Sequence, residues 1–190
     1  MRSQRKHNTM AHTCTMIRVM QALKLNPANE AIVNSYTGIE TNNAIHIRID
    51  QDWISWCRHT NATRTGIWTV DTILEMYAAT WKPEEMHFTT GEKHRTIQRQ
   101  CADSGIRSRF FYRTDLEYEI NAAINFELCC RAKRFVGLTK STFSNLITLK
   151  RSLMHTEESY IYNDSTFSLR VDKGLHCGPE SATQNKVTIV

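Results

Sequence analysis

The sequence predicts a doubly wound parallel α/β sheet, and three observations lead to this fold class. Short segments rich in β-branched and aromatic residues alternate regularly with amphipathic segments of helical period. The connections between them are short, which is typical of βαβ units with helices on both faces of a sheet. The chain has 190 residues, 41% hydrophobic and 23% charged, which suits one well-buried globular domain.

The first part of the chain is the least regular. Residues 1–25 are polar and basic at the start and then mildly amphipathic, and residues 30–37, after a loop at Pro27, are expected to form a short helix. We therefore predict that residues 1–43 are a partly helical N-terminal extension. The amphipathic signal comes from four apolar residues at helical spacing: Met16, Val19, Met20 and Leu23.

Regular alternation begins at Ala44. Residues 45–49 are predicted as a strand, and residues 67–80 as a helix because Ile67, Val70, Ile73, Leu74 and Tyr77 share one face. A short strand over 85–90 and a helix over 94–102 follow. The Ser-Gly pair directly after that helix is a typical C-terminal stop.

The second half repeats the pattern. Residues 108–113 are predicted as a strand, and Asp115 is expected to cap the following helix. That helix carries an apolar stripe formed by Ile120, Ala123, Ile124 and Leu128. The remaining predicted elements are a strand over 134–138, a helix over 141–153 and a last strand over 160–162. Together they define a lobe over residues 44–170, followed by an irregular tail over 171–190.

Composition excludes several function classes. No apolar run approaches the length of about 20 residues that crosses a bilayer, so we predict no membrane span. The net charge of +5 lies largely in the first 25 residues, without the dense basic and aromatic clusters of a nucleic-acid arm, so no nucleic-acid partner is expected. Six cysteines form no C-x-x-C pair, so no metal site is predicted and buried free thiols are expected.

The compartment is left open by the sequence. The first 25 residues lack the continuous apolar core of a secretory signal. Two N-x-S/T sequons, at Asn61 and Asn163, nevertheless keep the lumen of the secretory pathway as an alternative.

Two motifs carry candidate chemistry. In the strand over 45–49, His46 and Arg48 share one face while the isoleucines line the other. Ligands bind outside the carboxyl ends of parallel strands, and the fixed fork of an arginine suits a diphosphate. The alternative is structural: a buried, satisfied histidine and an arginine that is paired with Asp50 or Asp52.

The second motif runs from a strand into a helix start. Gly137 permits close backbone approach, and Ser141, Thr142 and Phe143 open the helix. Free backbone N–H groups and the helix dipole favour an anion there, and the hydroxyls can add donors. The alternative is an ordinary serine N-cap.

Together these motifs resemble those of the protein O-fucosyltransferases and related O-fucosyltransferase-like proteins. The segment 45–53 is similar to the H-x-R strand of that family, and the segment 122–137 with the Ser-Thr-Phe-Ser turn and Arg151 is similar to its second motif. The resemblance runs from about residue 44 to residue 151. It implies a single donor-binding lobe of a GT-B type glycosyltransferase that uses GDP-fucose as donor substrate and needs no metal or other cofactor.

The resemblance also implies roles for individual residues. Arg48 would be catalytic, by neutralising charge on the departing β-phosphate, and His46 would contact the sugar nucleotide. Ser141 and Thr142 would hold phosphate oxygens, and Phe143 would lie near the nucleotide. Asn125 replaces an aspartate that is typical of the family. Because an amide has only one accepting atom, a weaker guanine preference or another base is expected, unless Asn125 is simply a polar helix residue.

Three functions remain open at this point. The first is a fucosyltransferase-like enzyme, or its donor lobe, that transfers a sugar from a GDP-sugar to a hydroxyl of a protein or glycan acceptor with inversion. The second is a non-catalytic nucleotide-sugar-binding module or truncated remnant that lacks the acceptor lobe and needs a separate N-terminal lobe as partner. The third is an α/β domain without a ligand. No general base is identified; Asp50, Asp52 and Asp115 are candidates by proximity in sequence alone.

Overall fold

A computed structural model describes residues 15, 17–36, 38–39, 42–60, 67–81, 85–91, 94–138, 140–154, 158–162 and 167–170. Six strands lie in these ranges: β1 (Asn43–His46), β2 (Met86–Thr89), β3 (Ser108–Arg109), β4 (Arg134–Gly137), β5 (Ser159–Tyr162) and β6 (Phe167–Arg170). The helices that we label are α1 (Pro27–Ser35), α2 (Gln51–His59), α3 (Val70–Thr80), α4 (His94–Asp103), α5 (Tyr118–Arg131) and α6 (Thr142–Leu153).

The strands form one sheet in the order β3-β2-β1-β4-β5-β6. The first five are parallel to one another, and β6 pairs with β5 in the antiparallel direction. The order reverses between β1 and β4, so a crevice opens between their carboxyl ends, where open α/β sheets bind ligands. The predicted doubly wound parallel sheet is confirmed, with one antiparallel edge strand added.

Two apolar layers cover the sheet. On one face, Ile45 and Ile47 are buried with residues of α2, α3 and α4. On the other face, Ala44 and Phe135 are buried with residues of α1, α5 and α6. Successive side chains of β1 and of the residue after it point to opposite faces. Ile45 and Ile47 therefore lie in one layer, as predicted, and the ring of His46 points toward α6.

Four elements differ from the prediction. Helix α2 was absent from it, because this polar helix buries only Trp53 and Cys57, too few for a clear period. Strand β6 was absent as well. The strand predicted over 108–113 has two residues, because it is the sheet edge and the chain then leaves the sheet. The expected Asp115 cap is wrong: α5 starts after Glu117, and Asp115 pairs with Arg113 instead.

The C-terminal end of α5 is closed by a fully buried arginine. Arg151, from α6, donates to the carbonyl oxygens of Cys129, Cys130, Ala132, Lys133 and Glu158 and to the hydroxyl of Ser159. The last carbonyls of a helix have no partner within the helix, and they carry partial negative charge. The arginine of the second motif therefore ties α5, β4 and β5 together and lies away from the pocket described below.

Some of the other predictions concern residues that the structure describes, and some do not. Cys57, Cys101, Cys129 and Cys130 are buried free thiols, as expected. Within those ranges, no helix is long and apolar enough to cross a membrane. Both sequons and the tail over 171–190 lie outside the described residues. The boundaries of the predicted domains stay predictions.

Candidate functional site

His46 ends β1 and faces the start of α6 across the switch point of the sheet. Its Nδ1 lies 2.8 Å from the Ser144 hydroxyl oxygen, and both side chains are buried. The backbone N–H of Leu138, directly after β4, donates to the same oxygen at 3.1 Å. One hydroxyl therefore joins the carboxyl ends of β1 and β4, the two strands between which the order reverses.

Gly137 makes this close approach sterically possible. A Cβ at this position would lie 2.6 Å from both Cβ and Oγ of Ser144 and 2.9 Å from the Phe135 ring. Those separations are below van der Waals contact, so any other residue would push α6 away from β4. The requirement for a glycine was expected from the sequence, and its cause is the buried serine.

The N-terminus of α6 is built from the three residues that the sequence singled out. Ser141 is the N-cap, and its hydroxyl oxygen accepts from the backbone N–H of Ser144 at 3.5 Å. Thr142 is exposed, and the Phe143 ring lies 4.8 Å from the His46 ring. Ser141 thus fills the capping role that the sequence left as the alternative, while its hydroxyl proton and the first helical N–H groups remain suited to an anion.

Arg48 carries the other half of the first motif and is held by two carboxylates. Its guanidinium lies 2.8 Å from Asp50 and 2.6 Å from Asp52. Asp50 is buried, whereas the Asp52 side chain is 70% exposed, so the second pair is a screened surface contact of small energy. The ion pair that the sequence left open is therefore present. Arg48 nevertheless lines the pocket, where a diphosphate would compete with Asp52 for it.

A pocket opens beside these groups at the carboxyl edge of the sheet. Its polar end is formed by His46 and Arg48, with Phe143 beside them, while Ser141 and Thr142 do not line it. Its far wall is aromatic, and the rings of His94 and Tyr112 stack at 4.8 Å. The other lining residues that matter here are Phe110, Phe111, Tyr118, Asn121 and Asn125. Aromatic rings and an arginine in one pocket suit a ligand with a flat ring and a negative charge that can displace Asp52 from Arg48.

Asn125 lies in that wall, but part of its amide is already used by the protein. Its nitrogen donates to the carbonyl of Phe111 at 3.0 Å and to that of Asn121 at 2.9 Å. Asn121 in turn accepts from the backbone N–H of Arg113 at 2.8 Å. The two asparagines therefore anchor the loop between β3 and α5. The amide oxygen of Asn125 is itself buried, with the His87 side chain beside it, so in this conformation it does not face a bound base.

Both buried histidines of the sheet are held neutral. Burial, with a smaller effect of the Arg48 charge, lowers the pKa of His46 to about 3. Burial also lowers the pKa of His87, in β2, to about 4, with the Arg109 charge acting in the same direction. A group with so low a pKa is a weak proton acceptor at neutral pH, so His46 can bind a ligand but is poorly suited to be a general base.

Two functional residues were missed by the sequence reasoning. Ser144 belongs to the Ser-Thr-Phe-Ser motif, but no role was predicted for it. Tyr162, in β5, donates to the carbonyl of His46 at 2.8 Å and accepts from the backbone N–H of Arg48 at 3.4 Å. Burial raises the pKa of this phenol, so it stays protonated. A tyrosine in a predicted last strand was the available signal, but nothing in the sequence indicates that it spans β4 to reach β1.

The Tyr162→Phe variant tests whether the Tyr162 hydroxyl stabilises the segment that carries His46 and Arg48. The ring packing would be kept while a buried carbonyl and a buried N–H lose their partner, so we expect a loss of about 1–2 kcal/mol in the free energy of unfolding, measured with urea. Tyr160→Phe is the matched control, because its hydroxyl bonds the exposed Glu158 carboxylate. Equal effects of the two variants would refute a special role for Tyr162.

No protein-family model matches the chain. In sequence it is similar to O-fucosyltransferase 23 of Arabidopsis thaliana, with 27% identity over 136 residues, which cover 57% of this chain and 29% of that protein. Among the described residues, no group of three or more His, Cys, Asp or Glu side chains could hold a metal ion.

Solved structures share the fold at low sequence identity. Ligand-free POFUT1 aligns with a TM-score of 0.53 at 17% identity, over 78% of this chain and 49% of that one. POFUT1 in complex with GDP-fucose gives 0.51 at 17% identity, over 82% and 50%. The fucosyltransferase NodZ from Bradyrhizobium gives 0.51 at 13% identity, over 79% and 49%.

The chain thus spans about half the length of these solved structures and less than a third of the Arabidopsis protein. The chain therefore resembles an O-fucosyltransferase in sequence, and it shares the Rossmann-like fold of about half of each of these fucosyltransferase structures.

Proposed function

We propose that this chain is the donor-binding lobe of a fucosyltransferase-like glycosyltransferase and that it binds GDP-fucose or a similar GDP-sugar. The observation that carries the proposal is the junction of His46 with the start of α6 at the switch point, beside Arg48. The diphosphate would lie between Arg48 and the N-terminus of α6, and the base would lie against the aromatic wall. The solved complex of POFUT1 with GDP-fucose, which has the same fold, supports this choice of ligand.

Each predicted site residue has a role in this arrangement. Arg48 would leave Asp52 and neutralise the charge that grows on the β-phosphate as the sugar departs, which makes it the catalytic residue. His46 would donate to a phosphate or sugar oxygen. Ser141 and Thr142 do not line the pocket, so with the helix N–H groups they would donate to phosphate oxygens that extend past Phe143 to the start of α6. Phe143 would cover the His46 ring, and Asn125 would accept one N–H of the base after its buried amide oxygen turns toward the pocket.

The proposed reaction is a displacement with inversion. An acceptor hydroxyl oxygen would form a bond to the anomeric carbon while the bond from that carbon to the β-phosphate oxygen breaks, and GDP would leave with the electron pair. Arg48 is the positive charge available for the leaving group, so no metal is needed. The acceptor would be a protein or a glycan, and a separate N-terminal lobe would supply its site and the base that takes its proton.

A second candidate function is a nucleotide-sugar-binding module that does not catalyse transfer, or a truncated remnant. The observation that favours it is that no Asp or Glu is among the described residues that line the pocket, so none of them offers a carboxylate base beside a bound donor. An assay for hydrolysis or transfer of the sugar separates the two functions. GDP binding with no turnover in the presence of candidate acceptors would favour the module.

Calorimetric titration with GDP, UDP and ADP tests the binding step. We expect GDP to bind, and we expect Arg48→Ala to weaken it by about 10- to 100-fold, because a charge-assisted contact to the phosphate is lost. Arg134→Ala is the matched control, since that arginine lies at the opposite end of the sheet and pairs with Glu158. Binding that persists in EDTA would support metal independence.

Two results would contradict this proposal. If none of the three nucleotides binds, the donor-lobe function and the module both fail. If GDP binds equally well to the wild type and to Arg48→Ala, the phosphate role of Arg48 is wrong even though the chain binds a nucleotide.

A further inference from the structure

We propose that Ser144 is a positioning residue that holds the His46 imidazole with its single proton on Nε2. His46 then offers the pocket an N–H donor and has no free ring nitrogen there with which to take a proton. The state of the ring follows from the contacts of Ser144 and does not depend on any ligand. The consequence for donor binding rests on the proposed function.

The first step is the proton count at the Ser144 hydroxyl. Its oxygen accepts from the backbone N–H of Leu138, which uses one lone pair and offers no place for the hydroxyl proton. Among the residues that the structure describes, His46 Nδ1, at 2.8 Å, is the acceptor within reach of that proton. The hydroxyl therefore donates to Nδ1. In a neutral ring whose Nδ1 accepts, the proton lies on Nε2.

The second step is the charge of the ring. His46 is buried and lies near the Arg48 guanidinium, and both effects oppose an imidazolium. A charged ring would also have to donate from Nδ1, which would turn the hydroxyl proton of Ser144 away from its acceptor. Geometry and electrostatics thus favour the same neutral form.

The third step is the direction of the free nitrogen. Nδ1 points to Ser144, and the Phe143 ring lies against the imidazole at 4.8 Å, so Nε2 is the ring nitrogen that remains for the pocket. An N–H at this place suits a phosphate or sugar oxygen. It cannot receive the proton of an acceptor hydroxyl, so that proton must go to a group other than His46.

Ser144 is itself fixed from several sides. Its backbone N–H is capped by Ser141, and its carbonyl accepts from the Thr148 hydroxyl at 3.0 Å. The absence of a side chain at Gly137 leaves the space that Ser144 fills. A hydroxyl held this firmly can select one state of its partner.

The test is a long-range proton–nitrogen correlation spectrum of protein with isotope-labelled histidine, recorded near neutral pH without nucleotide. His46→Gln identifies the signals of His46 among the eight histidines. We expect the pattern of a neutral ring with its proton on Nε2. A proton on Nδ1, or a charged ring, overturns the proposal from the wild-type spectrum alone, so the test does not depend on whether a variant folds.

Ser144→Ala then tests the cause. We expect the preference for the Nε2 proton to be lost, while the matched control Ser152→Ala, which removes a hydroxyl from the same helix that bonds the Leu149 carbonyl, leaves the wild-type pattern unchanged. An unchanged pattern in Ser144→Ala would show that Ser144 does not set the ring.

Titration with GDP tests the consequence. We expect Ser144→Ala to bind GDP about 3- to 10-fold more weakly than Ser152→Ala does, which corresponds to one neutral hydrogen bond. Equal affinities would overturn the donor role. If the wild type binds no GDP but shows the expected spectrum, the proposed function fails while the assignment of the His46 proton stands.

Discussion

Replacing Arg151 with methionine is expected to lower the free energy of unfolding by about 3–5 kcal/mol, the largest effect of any single change considered. Methionine fills most of the volume but cannot donate, so the five carbonyl oxygens that Arg151 serves lose this donor in a buried site. The positive charge at the C-terminus of α5 is lost as well. Urea unfolding measures the difference.

Two further variants show whether the donor fork or the charge matters. Arg134→Met removes an arginine of the same region whose partner is the half-exposed Glu158, and it should cost less than about 1 kcal/mol. Arg151→Lys keeps the charge but replaces the planar fork with one ammonium group, so it should recover only part of the loss. An Arg151→Met protein within about 1 kcal/mol of the wild type would contradict the structural role of Arg151.

The second large effect is acid destabilisation. The pKa of His46 is lowered to about 3 and that of His87 to about 4, both chiefly by burial. The unfolded chain therefore binds protons below the usual histidine pKa while the folded chain does not, so stability is kept above that value and falls as pH falls toward the folded values. Between about pH 7 and pH 5 we expect a loss of about 2 kcal/mol per histidine.

Urea unfolding at several pH values measures this loss. Asp115 and Glu158 also have lowered pKa values, from the hydrogen bonds of Arg113 and Tyr160 respectively, but carboxylates titrate below this window. His87→Gln should remove about half of the pH dependence that the two buried histidines cause, because glutamine can still accept from Tyr36 but does not titrate. His94, whose pKa is also lowered, chiefly by burial, adds to the total in both proteins. Stability that is flat across the window would mean that both histidines titrate in the folded protein with the same pKa as in the unfolded chain.

The fold was accessible from sequence because the parallel strands and most helices carry strong local patterns. Ile45 and Ile47 recur at the two-residue period of a strand, whereas the apolar stripe of α5 recurs at the period of a helix. Each set buries one face of its segment. Helix α2 lacked that signal since only two of its residues are buried. Asp115 does not cap α5, because its carboxylate pairs with Arg113 instead. Helix-capping propensities do not account for such a neighbouring side chain.

The candidate site is likewise predictable from the sequence only in part. The positions of His46, Arg48, Ser141, Thr142 and Phe143 along the chain predict that they meet, because the carboxyl ends of parallel strands lie at one edge. The pairing of Arg48 with carboxylates, and the direction in which the Asn125 nitrogen points, depend on side-chain orientations. The spacing of residues along the chain does not determine those orientations. The sequence therefore leaves open whether Arg48 pairs with Asp50 or Asp52 and whether Asn125 contacts a base or is simply a polar helix residue.

By itself, the sequence determined a doubly wound α/β lobe and an edge at which His46, Arg48 and the start of α6 come together, because periodicity and strand direction are local properties. Only the tertiary structure decided that Ser144 bonds His46, that Tyr162 reaches past β4 to β1, and that Arg151 closes α5. These contacts join residues that are 19–116 positions apart. They depend on which buried polar groups are left to satisfy one another once the sheet and helices have packed.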